Sequence, residues 1–209
     1  MLSELDIRKF ANYPMETGDP YLNSLYEDMR WHCEESLPYC RFLYWLVLNL
    51  KPSIAIEIGV EFGLASAHMC SAAKEYGGQV IGLDLHWHNV PGDLIPKHYG
   101  NYHFLTADSI SSEAEKYVSD IAYVYGSIGV VYQDSSHHYA PSVREWDIYS
   151  KMLSKDAIWV CDDITPAFFE KGVDAKSMVA YFDERPGKHI KFPNILHYGN
   201  TIGVIYDIP

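Results

Sequence analysis

Five short apolar runs recur along this chain, and acidic residues stand at or just beyond their ends. They cover residues 54–58, 79–84, 102–106, 128–133 and 157–161. Each has the length and apolar character of a buried strand. Between them lie stretches of helical composition: 63–75, which stops at Gly77-Gly78; 112–119, which Ser111 or Ser112 can cap; and 142–153. Residues 86–100 contain Pro91, Gly92 and Pro96, and suit a loop or a broken helix. Alternation of this kind predicts an α/β fold, with a mostly parallel sheet covered by helices on both faces. Near the end, residues 195–198 and 201–206 flank Gly199-Asn200, the pattern of a β-hairpin. The expectation is a doubly wound, seven-stranded sheet with an antiparallel C-terminal hairpin and an N-terminal helical extension.

The remaining sequence sets the limits. A length of 209 residues fits one domain. Against 28 Asp+Glu stand 16 Lys+Arg, a formal net charge of −12. Nucleic acid and anionic membranes both call for surplus cations, so neither is an expected partner. Residues 1–36 are polar and aromatic and are broken by Pro14, Gly18 and Pro20. They read as an extension to the domain at 37–209, serving as a lid or as a contact between copies in a homo-oligomer. Within it Tyr13, Tyr21 and Tyr26 would line a lid or pack at a surface. Residues 38–50 read as a buried helix opening with Pro38. The first ten residues carry charges where a signal peptide is apolar. The longest apolar run, 42–48, is far short of the ~20 residues that span a bilayer. Cys33, Cys40, Cys70 and Cys161 form no framework and no metal knuckle, which suits reduced thiols in a cytoplasmic protein.

Ligands of an open parallel sheet bind beyond the carboxyl ends of its strands. The first run leads through Glu57 to Gly59 and Gly63, two glycines that permit a tight turn and a close ligand approach. The second ends in Asp84, where an acid can accept both hydroxyls of a ribose. The third is followed by Asp108-Ser109, the fourth by Asp134 and His137, and the fifth by Asp162-Asp163. The dinucleotide fingerprint is missing, because Glu61 and Leu64 occupy two of its glycine positions. Acids beside the glycine loop disfavour a pyrophosphate. They suit a phosphate-free ligand that carries a ribose and a positive charge.

The succession Glu-Ile-Gly-x-x-x-Gly, Gly-Leu-Asp and Ala-Asp-Ser resembles a class I S-adenosylmethionine-dependent methyltransferase of Rossmann-like fold. Asp134-x-x-His137-x-Tyr139 followed by Asp162-Asp163 narrows the resemblance to metal-dependent small-molecule O-methyltransferases. These are the catechol O-methyltransferase-like proteins and, more closely, the cephalosporin-biosynthesis and macrocin-type group. The resemblance spans residues 52–206. It implies that Glu57, Gly59 and Gly63 line the methionine end of the cofactor, that Asp84 holds the ribose, and that Asp108 and Ser109 lie near the adenine. It further implies that Asp134, Asp162 and Asp163 hold a divalent cation such as Mg2+. Asp134 and His137 would carry catalysis on a hydroxylated small molecule, with His137 standing where the catechol-type enzymes have a lysine base.

Elementary chemistry agrees with this. Three crowded carboxylates repel unless a cation neutralises them, and oxygen donors suit magnesium or calcium. Departures also stand out. Ala65 replaces a serine for the cofactor carboxylate, with Ser66 as a substitute, and Lys155-Asp156 replaces a Gly-Gly turn before the last run. A cofactor-binding protein without catalysis and a metal-dependent hydrolase or lyase remain alternatives. Trp87 reads as a wall against adenine or substrate, His138 as exposed, Cys161 as core, and Arg144, Glu145 and Asp147 as a solvated helix face.

Overall fold

The computed structural model describes residues 3–11, 17–28, 30–164, 177–193 and 201–209. Three helices precede the sheet: α1 (Glu4–Phe10), α2 (Pro20–Asp28) and α3 (Arg30–Leu50). A reciprocal cap opens α1, with Ser3 and Asp6 each accepting the other's backbone N–H. The helix expected from Pro38 begins instead at Arg30, with Pro38 inside it. A mid-helix proline costs about 3 kcal/mol. The buried side chains of Cys40, Phe42, Leu43, Leu46 and Val47 outweigh it, since each large one contributes about 1.5–3 kcal/mol. The expected boundary at residue 36 therefore falls inside a helix. Ile7, Phe10, Leu22 and Leu25 of the extension belong to the same buried cluster as α3.

Next come β1 (Ile54–Ile58), α4 (Leu64–Lys74), β2 (Gln79–Asp84), a π-helical turn at Val90–Leu94, α5 (Ile95–His98) and β3 (Tyr102–Thr106). They are followed by α6 (Ser112–Tyr125), β4 (Ile128–Gln133), α7 (Tyr139–Tyr149), β5 (Leu153–Cys161), α8 (Met178–Glu184), β6 (Lys188–Pro193) and β7 (Thr201–Tyr206). The sheet has seven strands in the order β3-β2-β1-β4-β5-β7-β6. Strands β1 to β5 are parallel, and β7 runs antiparallel to both β5 and β6.

Further boundaries differ from the sequence expectation, and the helix expected over 112–119 runs on to Tyr125. The fourth strand's helix starts at Tyr139 and ends at Tyr149, because Leu153 already pairs with Ile128 in β5. Lys155-Asp156 consequently lies within a strand rather than a turn. The hairpin's first strand is β6, where Ile190 and Phe192 alternate with exposed Lys191 and so fit a half-buried edge. Residues 195–198 and Gly199-Asn200 lie outside the described residues.

Side-chain alternation divides the core between two faces. Ala55, Val80, Val130, Tyr132, Ile158 and Val160 face α3 and α4, whereas Ile56, Ile81, Val131, Trp159 and Cys161 face α6, α7 and α8. Among the described residues no helix is long and apolar enough to cross a membrane.

Asp19 docks the N-terminal segment. Its buried carboxylate accepts hydrogen bonds from Tyr99 Oη and Ser71 Oγ, each at 2.7 Å, and from the Tyr21 N–H at 2.9 Å. Burial alone would raise its pKa, but the Tyr99 and Ser71 hydrogen bonds more than offset that and hold it below the usual range. Asp19→Ala strands buried Tyr99 and Ser71 without an acceptor. It is expected to cost roughly 2–4 kcal/mol in urea denaturation; an unchanged midpoint would refute the docking role.

Candidate active site

Strand register assembles the site. Leu83, Ile58, Gln133 and Cys161 are level with one another in the parallel ladder. The next residues, Asp84, Gly59, Asp134 and Asp162, therefore form a row across the carboxyl edge. Backbone hydrogen bonds continue the ladder into this row: Gly59 N–H to Leu83 O at 2.9 Å, Asp134 N–H to Ile58 O at 2.8 Å, and Asp162 N–H to Gln133 O at 2.9 Å. Strand order reverses between β1 and β4, which opens a crevice there. Its volume is about 480 Å³, within the range of small-molecule sites. Its walls include Gly59, Asp84, Asp108, Ser109, Asp134 and His137. Glu57, Gly63, Asp162 and Asp163 are not among the lining residues.

Asp84 braces the first loop. Oδ2 accepts from the Val60 and Glu61 N–H groups at 2.8 and 2.7 Å, and Oδ1 from the His86 N–H at 2.8 Å. A carboxylate has about four acceptor sites, so one remains at Oδ1 for a ligand hydroxyl. At Gly59 the β1 and β4 loops pass close together. A Cβ there would stand 2.1 Å from the Asp134 carbonyl oxygen. Gly63, at φ +79, would meet Ile95 and Pro91 instead, which makes its smallness a packing requirement of the wall behind the loop.

Glu57 points to the α4 face, buried, where it accepts the Ser66 hydroxyl. Burial, opposed by that hydrogen bond, pushes its pKa up to about 8. Ser66, the candidate to stand in for a serine at Ala65, is itself fully buried and hydrogen-bonded to Glu57.

Asp134 and Asp162 converge. The buried Tyr132 hydroxyl lies 3.2 Å from Asp134 Oδ2 and 3.3 Å from Asp162 Oδ2. Burial and then the Asp162 charge push Asp134 well above the carboxylate range. Burial and then the Asp163 charge push Asp162 up to about 7. Asp162 Oδ1 is buried and has no hydrogen-bond partner among the described residues. Two oxygen donors held together, one with an orphaned atom, fit a hard cation that completes its shell with water and substrate.

The expected third ligand stands differently. Asp163 Oδ2 faces His137 Nδ1 at 3.8 Å, and His137 Nε2 lies 3.5 Å from Asp134 Oδ1. Among the described residues, no three His, Cys, Asp or Glu side chains are grouped to hold a metal ion. Burial holds the His137 imidazole below its ordinary pKa, with the Asp163 charge opposing. Glu61, His137 and Asp163 all adopt left-handed backbone, with φ of 48°, 51° and 50°. Each such residue costs about 1–3 kcal/mol, a strain typical of functional loops.

Glu145 is the residue that sequence reasoning misplaced. Arg144 and Asp147 are exposed on α7, but Glu145 is 1% exposed and contributes to the crevice wall. Its Oε1 accepts from Ser109 Oγ at 2.6 Å, and its Oε2 accepts from Gln133 Nε2 at 2.6 Å and Ser135 Oγ at 2.9 Å. The helix carries Glu145 and Trp146 inward together, so a charge between exposed neighbours gave no signal of its own. Trp87 lies against Gly92, and Leu85 and His86 are the residues of that loop that reach the crevice. Tyr21 stacks on His98 with centroids 3.8 Å apart. Tyr13 and the Tyr26 side chain lie outside the described residues. His138 is exposed, and Cys161 is buried core.

A family profile described as "Methyltransferase domain" matches residues 56–164, more than half of the chain. The chain belongs to this methyltransferase family. The match runs from β1 just past β5 and so contains the whole row of strand-end residues. It bears out the resemblance read from the sequence as far as a class I S-adenosylmethionine-dependent methyltransferase. Among curated proteins no sequence matches the chain significantly.

Solved structures share the Rossmann-like methyltransferase fold. Cofactor-bound Rv0187 from MTB superposes with a TM-score of 0.67 at 15% identity, covering 100% of both chains. The O-methyltransferase from Bacillus cereus in complex with SAH gives a TM-score of 0.68 at 10% identity, over 95% of this chain and 96% of that one. MycE methyltransferase from the mycinamycin biosynthetic pathway, in complex with Mg, SAH and mycinamycin VI, gives 0.53 at 17% identity, over 82% of this chain and 48% of that one.

Proposed function

We propose that the crevice binds S-adenosylmethionine and that this methyltransferase alkylates a hydroxyl of a small molecule, with a divalent cation held by Asp134 and Asp162. One observation carries the reading. A methyltransferase-family chain places Asp84, Gly59, Asp134 and Asp162 in one row at the strand-order switch. SAH in the Bacillus cereus protein and Mg with SAH in MycE support the ligand choices.

Each group then has a task. Asp84 offers its remaining acceptor site to a ribose hydroxyl, and Asp108 and Ser109 border the base. Gly59 lets the β1 loop lie against the Asp134 backbone, which sets the crevice wall that the methionine part would meet. A divalent cation at Asp134 and Asp162 would lower the pKa of the acceptor hydroxyl. S-adenosylmethionine bound there would supply the methyl group to the acceptor oxygen and leave as S-adenosylhomocysteine, and the hydroxyl proton would pass to His137. Asp134 and Asp163 flank the imidazole and stabilise it once charged.

Isothermal calorimetry with S-adenosylhomocysteine, with and without Mg2+, tests the reading. Binding with a Kd on the order of micromolar is expected, or about −8 kcal/mol. No heat of binding in either condition overturns it.

A further inference from the structure

Ser109 and Ser135 approach the crevice from different loops, one after β3 and one after β4, and both line it. Each hydroxyl has a single proton. Ser109 gives its proton to Glu145 Oε1 at 2.6 Å, and Ser135 gives its proton to Glu145 Oε2 at 2.9 Å. What remains to each oxygen is lone pairs.

We propose that Glu145 is a positioning residue that fixes the hydrogen-bond polarity of this end of the crevice, so that Ser109 and Ser135 can only accept and the site selects a purine bearing an amino group over one bearing a keto group. The inference rests on the nucleoside reading given above and adds the basis of its base selectivity.

Three further observations fix this polarity. Gln133 Nε2 also donates to Glu145 Oε2 at 2.6 Å, which fixes the Gln133 amide, and Gln133 Oε1 takes the Trp159 indole N–H at 3.0 Å. Glu145 therefore receives three donors, and these hydrogen bonds to its charged form oppose the burial that raises its pKa. The Tyr149 hydroxyl holds the Ser109 backbone carbonyl at 2.5 Å, which fixes the loop that carries one of the hydroxyls. Asp108 Oδ1 caps Ile110 N–H at 3.1 Å, adding a second acid to the same wall.

Ser109, Ser135 and Asp108 thus each present acceptor oxygens at this end. An exocyclic amine supplies protons to such a wall. A keto oxygen in its place would bring lone pair against lone pair, a mismatched polar contact that is costly.

Competition calorimetry with S-adenosylhomocysteine and S-inosylhomocysteine, which differ in that one group, reads the selectivity directly. The wild-type protein is expected to prefer the adenosyl compound by at least about tenfold. Glu145→Gln keeps the shape but offers an amide N–H2 that can donate to the serines, which frees their protons to turn toward the ligand. The preference is expected to fall to less than about threefold in this variant. Should Glu145→Gln fail to fold by circular dichroism, the Ser109→Ala/Ser135→Ala double variant is expected to narrow the ratio in the same way. An adenosyl preference that stays at its wild-type value in these variants overturns the inference and leaves the methyl-donor reading intact. No binding of either compound to the wild type overturns both. A merely structural role for Glu145 would weaken the two ligands equally and leave their ratio where it was, and that result also refutes the inference.

Discussion

Gly59→Ala is expected to abolish S-adenosylhomocysteine binding and to destabilise the fold by several kcal/mol. Two costs add. At φ +86 a Cβ is strained, by about 1–3 kcal/mol. The same Cβ would stand 2.1 Å from Asp134 O, 2.7 Å from Asp134 C and 2.9 Å from Ser135 Cα, all of them backbone atoms that cannot rotate away. Relief requires β1 and β4 to part at the strand-order switch, at a further cost of about 1–3 kcal/mol. That movement also displaces Asp134 from Asp162. Gly77→Ala is the control, because Gly77 has a similar φ of +83 with nothing within 4 Å of the added carbon. It should cost only the backbone strain and leave ligand binding unchanged. Thermal unfolding and calorimetry on both variants check this. Equal behaviour of the two would remove Gly59 from the site.

The second large effect concerns Asp162. Asp162→Asn is expected to weaken Mg2+ binding by at least about a hundredfold, since metal sites lose about 10–100-fold even from changes to the partners of their ligands. It should also make the metal-free protein more stable. The folded carboxyl titrates near 7, above its ordinary 3.8, so an unfolded chain releases that proton at lower pH than the folded one does. The group therefore costs stability progressively as pH rises from about 4 to 7, and the full cost persists above that. Removing the charge should recover roughly 1–3 kcal/mol at pH 8 and flatten the decline across that window. Metal titration by calorimetry and urea denaturation from pH 4 to 8 measure the two arms. Loss of stability at pH 8 together with unchanged Mg2+ affinity would refute a cation role for this residue.

The opposite signs of the two effects matter. A residue kept only for packing would lose stability when altered. A repelling acid that the fold tolerates without a counter-charge points to a ligand that supplies one. Asp19 gives the contrast within the same chain. Its carboxylate is surrounded by donors and its pKa is lowered, which marks a structural group.

Much of the fold was legible before any coordinates, because it rests on local pattern. Apolar runs such as 54–58 and 128–133 can bury two faces only inside a helix-covered parallel sheet, and their spacing leaves room for the crossover helices. The acids at 84, 134 and 162 were visible for the same reason, as polar residues that end apolar runs. Family resemblance then attached a chemistry to them. Pro38 misled because its local rule, first-turn placement, yielded to the tertiary burial of the helix face that follows it.

What only the tertiary structure decided is how side chains from distant positions meet. Periodicity does not encode that Leu83, Ile58, Gln133 and Cys161 are level, yet this register is what makes a row of Asp84, Gly59, Asp134 and Asp162. Nor could it show that Asp163 turns to His137 while Asp162 stays with Asp134, or that Ser66 is hydrogen-bonded to Glu57. Glu145 is the clearest case. Between exposed Arg144 and Asp147 it reads as solvent-facing, and only the packing of α7 on the sheet brings it to Ser109 and Ser135. Sequence determines which groups are present and which local structure they favour. Long-range packing determines which of them share a hydrogen bond, because a contact between residues 109 and 145 depends on every element folded between them.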